Sequence, residues 1–560
     1  MKLLLACVGF AAALSVATAA VPAEVRAVRS AAPAELLARL ASGVAGGEAL
    51  VKLATLRTFY AERRHSPAWS VGGGVSPQAD DLLAALHNAK REGLRPAEYH
   101  IGPIAAKLRR LRTRTRGSGR SANKGGNPGA DAADLDLLLS DAFFLYASHL
   151  TAGRVNPQSV EPEWNVEGRG RNLIFLLNAA LEHGHLAETL AGLPPARADY
   201  RLLRQALAAQ RTIAAAGGWP LVAGGPTLRE GDRNPRVQML RRRLAATGEL
   251  PAGGDTRGEF FDAAVANALR RFQSRHGLDA DAIAGARTLS RLNTPARERV
   301  RQIEANLERL RWLPRDLGPR HLLVNIADFR LALTEPDAPP LEMRVIAGRL
   351  ARRTPFFSGE ITSILFNPTW TVPERLAVED KLPLILDDRD YLVDNGFKVF
   401  AHAGATWREI DPAEVDWTRL SKTNFPYRLR QEPGPHNALG QIKFQIPNTH
   451  DIYLHDTPSH ELFARTERGF SSGCIRVERA RELAERLLAA DPAWTRARIE
   501  ETIAAGSTVN VRLPEPLPVY LLYWTTWVDR EGVLQVRDDI YGRDAALLEA
   551  LALPLKPRRE

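Results

Sequence analysis

The feature that most constrains this chain is a change of hydrophobic period near residue 318. Before it, apolar residues recur at helical spacing, as in "DLDLLLSDAFFLYASHLTAGRVNP", the pattern of a helix packed against a core. From His321 the chain breaks into short runs: "HLLVNIADFRLALTE", "EMRVIAGR", "ITSILFNPTWTVP", "FKVFAHAG", "IKFQIP", "DIYLHDT", "STVNVRL" and "PVYLLYWTTWV". These are rich in β-branched and aromatic residues and are separated by turn formers, which is the signature of strands. The sequence therefore predicts a multidomain α+β protein, helical first and then mainly antiparallel β over 318–545. Helical pieces such as "VEDKLPLILDDRDYLVDNG" interrupt the β pattern. Residues 376–430 are expected to form a lid-like insertion on the β scaffold.

Within the helical part, residues 33–216 read as one α-helical domain. "TRTRGSGRSANKGGNPGAD", Thr113 to Asp131, loses its apolar residues and reads as a flexible insertion at 113–131. Residues 227–293 form a second unit, a small three-helix bundle. Val237, Leu240 and Leu244 mark one helical face, and Val265, Leu269 and Phe272 another, with Gly277 and Gly285 punctuating turns. "RQIEANLERLRWLP" connects this unit to the β domain and is stopped by Pro314. The length of 560 residues accommodates such a division.

The first residues, "MKLLLACVGFAAALSVATAA", combine Lys2, an apolar run and a small-x-small end at Ala17-Thr18-Ala19. This is the layout of a secretory signal peptide over 1–19, and it implies export. An uncleaved segment would instead anchor the chain in a membrane. The net charge of +10, from 75 Lys+Arg and 65 Asp+Glu, favours acidic partners in general. No RNP box or zinc finger accompanies it, so nucleic acid is not an expected partner.

Export changes what the cysteines mean. The chain has 2, and removal of the signal segment takes Cys7 and leaves Cys474 alone. An unpaired exported thiol points to an intermolecular bond or a reactive group. Cys474 follows Ser471-Ser472-Gly473 and precedes "IRVERARELAERLLAADP", whose apolar spacing predicts an amphipathic helix. The sequence thus predicts Cys474 at a helix N-terminus, where free N–H groups and the helix dipole favour a thiolate. Gly473 permits close backbone approach, and neighbouring N–H groups suit an oxyanion. An ordinary thiol is only slightly ionised at neutral pH, so a base is needed. His455 is the best candidate, at the end of "DIYLH" and a short connection from Cys474. The plainer alternatives are a structural hydrogen bonder for His455 and a small buried hydrophobe for Cys474. A zinc site from His455, Asp456, His460 and Cys474 matches no motif spacing.

These residues carry a resemblance. His455 followed by Ser471-Ser472-Gly473-Cys474, within the stretch from Ile452 to Val477, is similar to the active-site signature of L,D-transpeptidases with a YkuD-type catalytic domain. Ser472 stands where that family usually has His, and Arg476 where some members have Asn. "FNPTWTVP", "RQEPGPHNALGQIKFQIPN", "IYLHDTPSHELF" and "FYAERRHSPAW" resemble the large multidomain branch, the last of them its α-helical scaffold domain. "LREGD", "RRFQSRHGL" and "AIAGARTLSRLN" in 227–293 resemble a peptidoglycan-binding domain, with Ala284 as a departure from the usual turn. The resemblance implies Cys474 as nucleophile and His455 as general base. It implies an oxyanion and substrate loop at Ser471, Ser472, Gly473 and Arg476, and a pocket that includes Trp370, Asn437 and Tyr453. It further implies peptidoglycan stem peptides as donor and acceptor, 3→3 cross-links through a thioester with release of D-alanine, a periplasmic or cell-envelope location, other wall-synthesis enzymes as partners, and no metal or cofactor. Hydrolysis of the same bond by an L,D-carboxypeptidase and a non-catalytic wall-binding scaffold are the competing readings.

Overall fold

The computed structural model describes every residue except 1–22, 72–73, 117–127, 167, 252 and 556–560. The signal segment expected at 1–19 therefore lies outside the described residues. Of the insertion expected at 113–131, the two ends are helical, belonging to the helices Ile101–Arg116 and Pro128–Ala152. The stretch between them is not described.

The helix Pro128–Ala152 is apolar on nearly all sides and forms the axis of the helical unit. Around it pack the helices Ala23–Ser42, Leu53–Glu62, Gln78–His87, Ile101–Arg116 and Leu173–His183. Its buried carboxylates are not misplaced charges. Asp136 accepts the backbone N–H groups of Ala68 and Trp69, each at 2.9 Å, and the Tyr60 hydroxyl at 2.6 Å. Asp141 accepts Val51 N–H at 3.0 Å and Lys52 N–H at 2.7 Å. Each thus ties a surface loop to the axis and satisfies donors that burial would otherwise orphan.

Residues 227–293 contain the helices Pro235–Ala246, Ala263–Arg275 and Ala286–Leu292. Val237, Leu240, Leu244, Val265, Leu269 and Phe272 are all fully buried in one core. Asn234 and Asp262 cap the first two helices through their side chains. Ala284 is also fully buried, and it bridges Leu228 across the base of the unit.

The connecting helix Ala296–Trp312 starts earlier than its sequence suggests and is buried on most of its circumference. Leu307 and Leu310 pack into the same core as Tyr200, Leu203 and Leu207 of the helix Ala198–Ala215 and the strands of the β domain. Its buried polar groups bind across that boundary. Arg309 pairs with Asp544, Asn306 Nδ2 donates to Thr525 Oγ1 at 2.8 Å, and Glu308 accepts Val155 N–H at 2.7 Å.

The strands of the main sheet are β1 (His321–Asn325), β2 (Arg330–Glu335), β3 (Ala338–Gly348), β4 (Phe357–Phe366), β5 (Ile442–Gln445), β6 (Leu454–His455), β7 (Ile475–Val477) and β8 (Val509–Leu522). They are hydrogen bonded in the order β3-β7-β6-β5-β4-β8-β1-β2, and β2 pairs again with β3, so the sheet closes into a ring. The pairs β6–β7 and β8–β1 are parallel and the others antiparallel. A further strand, Gly469–Ser471, lies parallel to β3. Ile364, Phe366, Ile442, Phe444, Leu454, Ile475 and Val477 point into the ring and are fully buried. Their sequence neighbours point outward by the two-residue period of a strand.

The insertion has a sheet and core of its own. Its strands Thr406–Ile410, Phe397–Ala403, Tyr427–Gln431 and Trp370–Thr371 are hydrogen bonded in that order. Val378, Leu382, Ile385, Phe397, Val399 and Leu429 fill its core. Trp370 and Leu439 belong to the same core, so the unit extends on both sides of 376–430. It needs both, since the short strand at Trp370 closes one edge of the sheet.

Candidate active site

The site lies on the outer face of the ring, under this insertion. Three adjacent strands set one transverse row. Lys443 of β5 is opposite His455 of β6, and His455 is opposite Arg476 of β7. Residues so paired share a face. One step along, Tyr453 and Cys474 occupy the same face, since Leu454 pairs with Ile475 between them. Lys443, His455, Arg476, Tyr453 and Cys474 thus form one outward-facing cluster.

Cys474 is not at a helix N-terminus. It sits in a bend, β7 follows directly, and the helix Ala480–Leu488 begins only after that strand. Val345 and Ile346 of β3 pair with Val477 and Arg476. The sheet thereby claims a stretch whose alternating Ile475 and Val477 suit a strand better than a helix. No helix dipole acts on the sulfur. Burial pushes the Cys474 thiol above its usual value, although hydrogen bonds from the Tyr453 backbone N–H and phenol and the charge of Lys443 act the other way. The resting group is a neutral thiol, 3.6 Å from the Asp451 carbonyl.

His455 is buried, and its Nδ1 donates to the Asp456 carbonyl at 2.5 Å. Burial, then the flanking cations Arg476 and Lys443, hold its pKa at about 3. The imidazole is therefore unprotonated at any ordinary pH. The register places its ring and the sulfur diagonally on one sheet face, across the β6–β7 pair. In this resting arrangement each is bonded to backbone carbonyls instead.

The loop before Cys474 is tightly braced. Ser471 Oγ donates to the Cys474 carbonyl at 2.6 Å and accepts Gly473 N–H at 3.1 Å. Thr354 Oγ1 donates to the Gly473 carbonyl at 2.8 Å. Gly473 has φ +128, and a Cβ there would come within 3.3 Å of Ile452, so glycine is required on two counts. Ser472 is exposed and receives a hydrogen bond from Arg352 Nη1 at 2.9 Å. The same guanidinium bonds Glu379 at 2.6 Å and Asp380 at 2.7 Å, both at the base of the insertion.

The expected pocket residues divide. The Tyr453 phenol interacts with both the Trp370 indole and the Cys474 sulfur. Trp370, packed in the insertion's core, thus reaches the sulfur through Tyr453. Asn437 is fully buried with its amide committed to backbone. Nδ2 donates to Pro368 and Glu432 carbonyls at 2.9 Å and 3.0 Å, and Oδ1 accepts Leu439 N–H at 2.8 Å. It has no amide hydrogen left for a ligand. It braces the turn that carries Leu439, whose carbonyl faces the His455 ring. Lys443 and Arg352 do not stand out in the sequence. Lys443 alternates with buried Ile442 and Phe444, a signal that becomes meaningful only once β5 is paired with β6.

Comparison with known proteins agrees with this architecture. Family models match residues 54–207 as "Scaffold domain", 233–292 as "Putative peptidoglycan binding domain" and 319–510 as "L,D-transpeptidase catalytic domain", the YkuD family. A Haemophilus influenzae protein named "Putative L,D-transpeptidase" is 36% identical over 245 residues, covering 44% of this chain and 48% of that protein. The chain therefore matches about half the length of this curated relative. Cys474 and His455 both fall inside the matched 319–510 segment. A helical scaffold domain, a small helical peptidoglycan-binding domain and a β-rich catalytic domain follow one another along the chain, which carries the YkuD-type L,D-transpeptidase catalytic domain in a multidomain setting.

Proposed function

We propose that the protein is an L,D-transpeptidase that forms 3→3 cross-links between peptidoglycan stems through a Cys474 thioester. The observation that carries this reading is a thiol, unpaired among the described residues, on the same sheet face as a buried neutral imidazole in a YkuD-type domain. In the proposed reaction Cys474 turns from Asp451 toward His455 and attacks the carbonyl of the third stem residue, a diamino acid. His455 takes the thiol proton as the S–C bond forms. The N–H groups of Ser472 and Cys474 are the donors that support the oxyanion, because the Gly473 N–H is already used by Ser471. The C–N bond to the fourth residue breaks, and D-alanine leaves with the proton from His455. The side-chain amine of a second stem then attacks the thioester carbonyl, its proton passes to His455, and the sulfur is released and reprotonated. No redox partner enters the balance.

The substrate places the activity in the cell envelope, where the signal segment would deliver it, and residues 227–293 would hold the enzyme on the polymer. Residues 33–216, 227–293 and 318–545, with 376–430 at the heart of the lid, are the proposed functional divisions. Incubation with a stem tetrapeptide followed by intact-protein mass spectrometry tests the reading. A covalent adduct with release of D-alanine is expected on the wild type and none on Cys474→Ala. Peptide dimers among the products identify transfer, tripeptide alone identifies hydrolysis, and absence of any adduct rejects the acyl-enzyme.

A further inference from the structure

Two cations face the candidate nucleophile with no anion bonded to either among the described residues. Lys443 is half-buried, lies 3.9 Å from the centre of the Tyr453 ring, and makes no ion pair among the described residues. Arg476 is half-buried as well, and its Nε is fully enclosed without a hydrogen-bond partner. The contrast is with Arg352 nearby, whose guanidinium is saturated by Glu379, Asp380 and Ser472. Asp451 acts on Lys443, and Glu461 on Arg476, only through space. The strand register puts both residues on the sheet face that carries Cys474, and both interact electrostatically with its sulfur. The sulfur is uncharged at rest and supplies no standing counter-charge. Half-buried charges are normally paired, because removing them from water is costly. Two left open on one row, on either side of His455, form a site that awaits an anion.

We propose that Lys443 and Arg476 clamp a free carboxylate of the donor stem while Cys474 attacks it. The assignment rests on the transpeptidase reading above and deepens it by naming what selects the donor. A stem that ends in D-alanine carries an α-carboxylate one carbon from the scissile nitrogen, and its diamino acid can carry another. Either lies close enough to the attacked carbonyl to meet cations grouped around the sulfur. Arg476 offers a planar fork for two parallel hydrogen bonds, and Lys443 a mobile point charge. Together they would fix the scissile amide over Cys474 and keep amidated or extended stems from binding as donors.

The test uses the full chain and three synthetic tetrapeptides: the free acid, the C-terminal carboxamide, and the peptide amidated on its diamino acid. Acylation of Cys474 is followed by intact mass, and kcat/KM compared. On the wild type, one of the two amidations is expected to slow acylation roughly 10- to 100-fold, the range of a lost charge-assisted hydrogen bond, and its identity tells which carboxylate is held. Lys443→Gln and Arg476→Gln should lose a similar factor with the free acid and no longer distinguish it from that amide. Lys443→Arg and Arg476→Lys should keep most of the discrimination, which separates a binding role from a folding defect. Equal acylation of all three peptides by the wild type would overturn the clamp and leave the transpeptidase reading intact. Failure of every peptide to acylate the wild type would reject both.

Discussion

In the proposed reaction, His455 and Cys474 exchange a proton during attack rather than before it. The cations that flank His455 work with burial to keep the imidazole unprotonated, and burial keeps the thiol protonated. Iodoacetamide is therefore expected to alkylate Cys474 more slowly than a free cysteine at pH 7, with a rate still rising above pH 9, as followed by mass spectrometry. Fast alkylation with a midpoint well below 8.5 would contradict the geometry. The same burial has a linkage consequence. A histidine whose folded pKa lies near 3 stabilises the fold fully above the unfolded value near 6.5. That contribution is lost as pH falls through the window between them. His455→Gln, which cannot charge, should show a shallower fall of melting temperature between pH 6.5 and 3 than the wild type. Gly473→Ala should cut acylation by at least tenfold with Cys474 intact, because φ +128 and the Ile452 contact both oppose a Cβ. At this scale the sequence was informative for chemistry and silent on register. A thiol without a partner and a histidine at a strand end are readable from residue type and spacing. Lys443 is readable only after β5, β6 and β7 are aligned, since its meaning lies across strands.

Between elements, the contact of most consequence is Arg352. It leaves the segment between β3 and β4 and joins Ser472, in the cysteine loop, to Glu379 and Asp380, in the insertion. Pairing with Arg352 holds the Asp380 carboxyl below its usual range. In the proposed reaction the thioester must meet an amine before water reaches it, so anything that loosens the insertion is expected to favour hydrolysis. Arg352→Ala is expected to raise the ratio of tripeptide to cross-linked dimer, and Asp380→Asn to do so more weakly because Glu379 still holds the arginine. Chromatography of the muropeptide products gives the ratio directly, and an unchanged ratio in both variants would mean that the contact does not govern water access. The same neighbourhood shows why Ile475–Val477 misleads as a sequence. A helical face is genuinely present from Ala480 onward, with Leu483, Ala484, Leu487 and Leu488 buried. Three residues upstream also fit it, until β3 offers Val345 and Ile346 as hydrogen-bonded partners. Local periodicity cannot register a partner more than a hundred residues away.

Across the whole molecule, four apolar cores are distinct among the described residues. Composition and period distinguished a helical part, a small helical bundle and a β-rich part, and the chain has all three. They could not reveal that Tyr200, Leu203 and Leu207 share a core with the ring, because nothing in a helix's own pattern says which neighbour it will bury against. That shared core, with Arg309–Asp544 and Asn306–Thr525 crossing it, should make the helices Ala198–Ala215 and Ala296–Trp312 unfold together with the catalytic domain. The small bundle meets the rest largely through charged contacts: Arg287–Glu467, Arg291–Asp538 at 2.5 Å, and Arg537 to the Arg275 carbonyl at 2.9 Å. Raising salt weakens such contacts. Calorimetry is expected to show a separate transition for the bundle at high ionic strength and a merged one at low, whereas a single transition at every salt concentration would mean that its docking is chiefly apolar.

The bundle's attachment carries one more implication. A Cβ built on Gly218, where the chain departs for the bundle, would stand 3.7 Å from that of Ala296, where it returns. Departure and return share a doorway, and the two helices on either side of it already pack on each other. The bundle is thus spliced into a seam, and a single excision there would remove it while leaving the two flanking helices packed on each other.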